Sequence, residues 1–131
     1  MLDNNLSPRV ARALAALFDD DEVRHKRDKF APDTPDTEWI AALGRERAWC
    51  VISADRRITK NRAEQAAWRS TDLIGFFMEP SLANASPPAQ TARLIRYWPL
   101  LQTQSFAISG PAMFGLTLGG SQRLKQIAFR R

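Results

Sequence analysis

Apolar and polar positions along the chain follow helical and strand-like periods in turn, which predicts helices interleaved with strands. Leu2 lies in what we interpret as the stub of a first strand. Ser7 followed by Pro8 is typical of a helix cap and first turn, and the helix that they open should run to about Phe18. The positions expected on its apolar face are Val10, Leu14 and Leu17.

The next stretch contains an acidic run and the start of a second helix. Residues 19–22 are all acidic and indicate a solvated loop, and residues 23–26 indicate at most a short strand. A second helix should begin within residues 33–36, where Pro35 suits a first turn. Its expected apolar face consists of Trp39, Ile40 and Leu43.

Two short apolar runs, residues 49–53 and 73–78, predict strands that are buried on both faces. A third helix should span about residues 61–69 between them. A strand, a helix and a further strand in this order predict a parallel pair joined by a right-handed crossover. We expect residues 49–53 to form the central strand.

Beyond the second apolar run, the pattern is less regular. Residues 80–88 are rich in Pro, Asn and Ser and predict a loop, which leads to a fourth helix that Pro99 should bend or end. Residues 110–118 predict a late strand, followed by two glycines and a basic end. The whole pattern predicts an α/β fold with three layers, α/β/α, around a small and mainly parallel central sheet.

Length and composition favour a single cytoplasmic domain. The chain has 131 residues, 44% of them hydrophobic, which suits one domain over residues 1–131, with the segment from about 103 to 131 less clearly defined. We see no run of about eighteen apolar residues and no basic, hydrophobic leader, so we expect neither a membrane span nor a signal peptide. The lone Cys50 lies in an apolar run, which favours a buried structural thiol and argues against disulfides and zinc. We interpret His25 as a surface or strand residue and the four tryptophans as core residues.

The net charge of +5 belongs to one part of the chain. Basic and acidic residues balance over residues 1–78, whereas residues 79–131 contain Glu79 as their one acid. A basic segment favours an anionic partner. A solvated surface that only aids solubility explains the same charge equally well.

Three aspartates are candidates for one site at the edge of the sheet. Asp3 and Asp55 each follow a predicted strand, and the carboxyl ends of parallel strands share the edge at which ligands bind. Asp36, at the start of the second helix, would join them if that helix begins at the same edge. Grouped carboxylates favour a hard divalent cation such as Mg²⁺ or Mn²⁺. Each also has a simpler explanation, which is a strand end for Asp3, a helix-start carboxylate for Asp36 and a turn cap for Asp55.

The segments around these aspartates, residues 2–8, 33–39 and 51–58, resemble the acidic blocks of PIN-like domains, in the branch that is similar to VapC-type toxins of bacterial toxin–antitoxin pairs. The resemblance covers roughly the first eighty residues well and the remainder loosely. It implies a metal-dependent endoribonuclease, with Mg²⁺ or Mn²⁺ as cofactor, RNA as substrate and an antitoxin protein as inhibitor. The catalytic and metal-binding residues that it implies are Asp3, Asp36 and Asp55.

The chain departs from this family pattern in two places. Only two residues precede Asp3, so the first strand is short. The family often has a fourth acid, for which Glu64 is the nearest candidate and Glu38 a weaker one. The segment before Glu64 also fits a capping box, in which Asn61 is the cap and Glu64 reaches back to its amide, and we favour that role.

A basic segment follows Asp55 and could bring an RNA backbone to the metal. Its arginines could instead pair with the carboxylates and hold the site together in the absence of RNA. The residues that we predict to bind RNA are Arg56, Arg57, Lys60, Asn61 and Arg62.

The leading functional hypothesis is an endoribonuclease that acts as the toxin of a toxin–antitoxin pair, with a homodimer as a further candidate assembly. A catalytically silent PIN-like module that binds RNA or a protein is one alternative. A receiver-type phosphoacceptor domain is another, disfavoured because no Lys-Pro pair follows a later strand. Nothing in the sequence identifies a particular RNA.

Overall fold

Parallel strands form the centre of the protein, whose structure is a computed structural model that describes residues 1–46 and 48–129. The helices are α1 (Pro8–Leu17), α2 (Asp36–Glu46), α3 (Arg62–Arg69), α4 (Pro80–Ala83) and α5 (Pro87–Ala107). The strands are β1 (Cys50–Ser53), β2 (Ile74–Met78), β3 (Ala112–Leu116) and β4 (Lys125–Ile127). Short 3₁₀ helices lie at Lys26–Asp28 and Arg56–Thr59.

The order of the strands places one reversal in the sheet. Strands β1, β2 and β3 are parallel neighbours, and β4 pairs antiparallel with β3. On the other side of β1, Leu2 forms isolated parallel bridges to both Ile52 and His25, so the first strand is as short as predicted. The segment with His25 therefore lies on one side of Leu2 and all later strands lie on the other. Such a reversal is where open α/β sheets bind their ligands.

Side chains alternate between the two faces of the sheet and are apolar on both. The face that packs with α1 and α5 carries Ile52, Ile74, Phe76, Met78, Ala112, Phe114 and Leu116. The face that packs with α2 and α3 carries Val51, Phe77 and Met113. Helices cover both faces of a mainly parallel sheet, and the predicted three-layer α/β fold is confirmed.

The long helix α5 corrects the expectation that Pro99 could end the fourth helix, because the helix continues through Pro99 to Ala107. Proline lacks an N–H, so the carbonyl of Ile95 loses its helical partner. Ile95 and Pro99 are both exposed, and water can hydrate that carbonyl, which makes the proline tolerable. Although α5 has 21 residues, no helix in the described part of the chain is long and apolar enough to cross a membrane.

Several expectations about single residues are corrected. Leu17 ends α1 and is 58% exposed, so it lies outside the core. Three of the four tryptophans are buried as predicted, but Trp49 is only half-buried.

His25 is buried, and its Nε2 lies 2.7 Å from the carbonyl oxygen of Leu6, so it is a strand residue and not a surface one. The pattern missed β4 because this edge strand is short and mostly exposed.

Cys50 opens β1 at the margin of the core and is half-buried. Burial raises the pKa of its thiol. A raised pKa disfavours the thiolate that nucleophilic chemistry requires, and this agrees with a structural role.

Candidate acidic site

The predicted aspartates lie where the order of the strands reverses. Asp3 directly follows the bridged residue of the first strand, Asp55 follows β1, and Asp36 is the first residue of α2. Ser53 connects Asp3 to Asp55, and Lys26 connects Asp3 to Asp36. The structure thus brings together the three aspartates that the sequence singled out.

Ser53, the last residue of β1, holds the Asp3 carboxylate against the backbone of Asp55. Its hydroxyl donates a hydrogen bond of 2.9 Å to Oδ2 of Asp3 and accepts one of 3.0 Å from the backbone N–H of Asp55. Asp3 also accepts a hydrogen bond of 2.7 Å from the backbone N–H of Asn4. Both Asp3 and Ser53 are buried, so these bonds fix the orientation of the carboxylate.

Lys26 places a positive charge between two of the acids. Its Nζ lies 3.5 Å from Oδ1 of Asp3 and 3.7 Å from Oδ1 of Asp36. The same Nζ lies 4.6 Å from the centre of the Trp39 ring, and the side chain is only 6% exposed. An unpaired buried ammonium is unfavourable, and the two carboxylates and the ring compensate this one.

Asp36 combines a structural position with contacts to the site. As the first residue of α2 it lies where the helix dipole stabilises a carboxylate. Its Oδ1 accepts a hydrogen bond of 2.7 Å from Nε1 of Trp39. It also lies beside Lys26 and Glu64, so the helix-start explanation accounts for only part of its surroundings.

Glu64 does not complete the predicted capping box. Asn61 is the cap of α3, and its Oδ1 accepts a hydrogen bond of 3.0 Å from the backbone N–H of Glu64. The backbone N–H of Asn61, however, donates to the carbonyl of Arg57 at 2.8 Å and is already satisfied. The Glu64 carboxyl instead neighbours the Asp36 carboxyl, which contributes to raising its pKa.

The surroundings of Glu64 favour its protonated form. Burial, the Asp36 carboxyl and the charge of Asp55 together raise the pKa of Glu64 to about 7. Within the described ranges, no donor group reaches its buried Oε2. Glu64 thus lies beside the candidate acids, and of the capping box that the sequence favoured only the Asn61 half is formed.

Asp55 is paired with an arginine from its own segment. The Arg57 guanidinium donates to both carboxylate oxygens of Asp55, with distances of 2.9 Å from Nε and 2.6 Å from Nη2. These hydrogen bonds lower the pKa of Asp55. Asp55 also caps the 3₁₀ helix by accepting from the backbone N–H of Arg57. Arg57 thus pairs with a carboxylate of the site, which is the alternative to binding RNA that the sequence left open. Its side chain is nevertheless 87% exposed.

The other predicted RNA-binding and acidic residues lie at or near the surface. Nη1 of Arg56 lies 3.4 Å from Oε1 of Glu79, which follows β2. Glu38 is exposed on α2. The basic end includes residues 130 and 131, which lie outside the described residues. The remaining predicted contacts to RNA, all exposed, are Lys60, Asn61 and Arg62.

Sequence reasoning missed Lys26 and Ser53 as members of the site. Lys26 follows His25, which bridges to Leu2, and Asp3 follows Leu2, so the two charged residues stand at the same level of neighbouring strands. The short strand expected near residues 23–26 was the available signal for Lys26. A serine at the end of a strand, as at Ser53, has no comparable signal.

Carboxylate oxygens of this kind suit Mg²⁺ or Mn²⁺ in their chemistry. Among residues 1–46 and 48–129, no three or more Asp, Glu, His or Cys side chains are spaced to hold a metal ion as they stand. The chemistry of Asp36, Asp55 and Glu64, although not their present spacing, suits a divalent cation. Such an ion would satisfy the buried Oε2 of Glu64 and offset the repulsion between these carboxyls.

Comparison with known proteins identifies the family of the N-terminal part of the chain. A family model described as a PIN like domain matches residues 1–80, a range that includes Asp3, Asp36, Asp55 and Glu64. Neither the curated proteins nor the solved structures gave a significant match.

Proposed function

Because the chain belongs to the PIN-like domain family, we propose that it is a metal-dependent endoribonuclease whose site is formed by Asp3, Asp36, Asp55 and Glu64. The family suggests a nuclease. The observation that carries the proposal is the gathering of these acids where the order of the strands reverses.

The residues of the site divide the chemistry between them. A divalent cation held by Asp36, Asp55 and Glu64 would supply positive charge beside the scissile phosphate and make a bound water more acidic. Without the ion, burial and the neighbouring acids raise the pKa of Glu64 to about 7, and a bound cation would favour its ionised carboxylate. Asp3, which Ser53 orients, completes the negative charge of the site from its buried side.

Binding of RNA is supported by the basic segment beside the acids. The exposed guanidinium of Arg57 can exchange its bidentate contact with Asp55 for one with a phosphate group. The further residues that we propose for the RNA backbone are Arg56, Lys60, Asn61 and Arg62. The basic C-terminal part of the chain adds to the attraction for a polyanion.

The finer assignment is to the VapC-type toxins. We extend the proposal to a cytoplasmic toxin that an antitoxin protein inhibits, supported by the resemblance of the three acidic segments. Copurification with the product of a small neighbouring reading frame, together with loss of cleavage in that complex, tests this assignment. Full cleavage by the complex would contradict it.

The decisive experiment incubates the purified protein with structured RNAs and Mg²⁺ or Mn²⁺, beside Asp55→Asn. Asparagine also caps helices, so the variant should fold, and its cleavage rate should fall by about a hundredfold or more. Asp72→Asn, at an exposed position before β2, is the matched control and should cleave normally. Unchanged cleavage by Asp55→Asn would eliminate this site.

A catalytically silent PIN-like module is the second candidate, and one observation favours it. Lys26 and Arg57 already compensate the carboxylates of Asp3, Asp36 and Asp55. A silent module would bind RNA or a divalent cation and leave every RNA intact. Cleavage that requires Asp55 excludes it.

A further inference from the structure

Lys26 is a charged residue that the proposed chemistry does not use. We propose that its ammonium group is a resident cation of the acidic site, which occupies the space between Asp3 and Asp36 and limits the site to a single divalent ion. This inference rests on the proposed function only in taking the acids as the site for metal.

The geometry around Nζ is that of a bound cation. Nζ lies 3.5 Å and 3.7 Å from one oxygen each of Asp3 and Asp36. A divalent ion held by Asp3 and Asp36 together would have to lie between their carboxylates, in the space that the ammonium now fills. The ammonium and the metal also repel each other, and in a buried site this repulsion is screened little.

Lys26 cannot move away from the acids at low cost. Its backbone N–H donates a hydrogen bond of 2.7 Å to the carbonyl of Leu2, so the residue is tied to the strand that carries Asp3. It begins a 3₁₀ helix that His25 caps by accepting from the backbone N–H of Arg27. Its side chain is 6% exposed, so the ammonium has little access to water.

These constraints divide the site into two parts. In the part between Asp3 and Asp36, the Lys26 ammonium supplies the positive charge. The part formed by Glu64, Asp55 and the remaining oxygen of Asp36 has only the exposed guanidinium of Arg57 beside it, and the buried Oε2 of Glu64 has no hydrogen-bond partner among the described residues. Lys26 is buried away from a polymeric substrate and acts through the two aspartates, so it is a positioning residue.

The test measures Mn²⁺ binding to the whole protein by titration calorimetry and by electron paramagnetic resonance of free Mn²⁺. We expect at most one ion for the wild type. Lys26→Met should bind Mn²⁺ about tenfold more tightly or more, or bind a second ion, because an uncompensated pair of carboxylates becomes available. Lys26→Arg keeps the charge and should resemble the wild type.

Lys29→Met is the matched control. Lys29 belongs to the same segment, lies 2.9 Å from Oε1 of Glu46 and is 5.2 Å from the centre of the Trp49 ring. It thus has the same kinds of partner as Lys26 but does not contact the site acids. Its removal should leave Mn²⁺ binding unchanged.

Equal affinity and an equal number of ions in the wild type and Lys26→Met, including no binding by either, would overturn the inference. If Lys26→Met does not fold, Lys26→Gln is judged by the same criterion. If neither folds alone, folding on addition of Mn²⁺ supports the inference and failure to fold at any Mn²⁺ concentration contradicts it. Absence of RNA cleavage by the wild type would count against the ribonuclease without altering this comparison of affinities.

Discussion

Glu64 neighbours Asp36, and its own burial together with the Asp36 carboxyl raises the pKa of Glu64 to about 7. In the unfolded chain the pKa of a glutamate is near 4.5. Between these values the folded protein binds more protons than the unfolded chain. The stability that Glu64 contributes should therefore be highest below about pH 4.5, fall as the pH rises toward 7, and level off above that.

Glu64→Gln isolates this contribution, because glutamine resembles a glutamate that remains neutral. The variant should be more stable than the wild type at pH 8, and the difference should vanish near pH 4. Urea unfolding at a series of pH values measures the difference. Carbon NMR of the Glu64 carboxyl gives its pKa directly, and a value near 4.5 would contradict the proposed environment.

The Arg57 guanidinium holds the pKa of Asp55 below its ordinary value of 3.8, so this pair acts in the opposite direction. Its stabilisation is present above about pH 4 and is lost as the pH falls through the lowered pKa of Asp55. Arg57→Gln should raise that pKa toward 3.8 and remove this acid-dependent part. Proton-coupled carbon NMR of the Asp55 carboxyl is the measurement. Arg62→Gln, an exposed arginine on α3, should leave the pKa of Asp55 unchanged.

The sequence predicts those parts of the site that depend on local patterns, and not those that depend on contacts between residues distant in the chain. Asp3 and Asp55 were predictable because each follows an apolar strand, and parallel strands end at a common edge. The partner of Glu64 was not, because the helix-cap pattern is local whereas its contact with Asp36 depends on how α3 packs on α2.

Lys26 shows the same limit. Its position beside Asp3 depends on the single bridge between Leu2 and His25, a pairing of residues that are distant in the chain. The layers of the fold were easier to predict, because every strand of the parallel part is apolar on both faces. The hydrophobic period and the ends of the strands thus predict the fold and the edge of the sheet at which the site lies. Which charged residues meet at that edge depends on the register of the strand pairing.

Asp21 joins the acidic loop to α5, although the sequence indicated only a solvated turn. Its Oδ2 accepts hydrogen bonds of 2.9 Å from Nε1 of Trp98 and 2.7 Å from Nε2 of Gln102. Asp21→Ala leaves the indole N–H without its acceptor and should lower the free energy of unfolding by about 1–3 kcal/mol. Asp20→Ala, at an exposed neighbour, should change it by less than about 0.5 kcal/mol. Equal effects in urea unfolding would show that Asp21 contributes no more than a surface charge.

Arg93 anchors the loop that follows β3 at the same edge of the sheet as the acids. Its guanidinium donates to the carbonyl of Thr117 at 2.7 Å and to the carbonyls of Gly119 and Gly120 at 3.1 Å each. It also lies 4.9 Å from the centre of the Tyr97 ring. The partners of the buried Arg93 guanidinium are neutral carbonyls. Removal of the guanidinium therefore leaves these acceptors unpaired but leaves no unpaired negative charge.

Arg93→Met keeps the apolar stem and removes those donors, so the free energy of unfolding should fall by about 2–4 kcal/mol. Arg96→Met, on the exposed side of the same helix, should lower it by less than about 0.5 kcal/mol. Proteolysis should cleave the Arg93 variant first within residues 117–121, because these carbonyls lose the group that orders them. If the two variants unfold at the same urea concentration, the loop is held by its own backbone and not by Arg93.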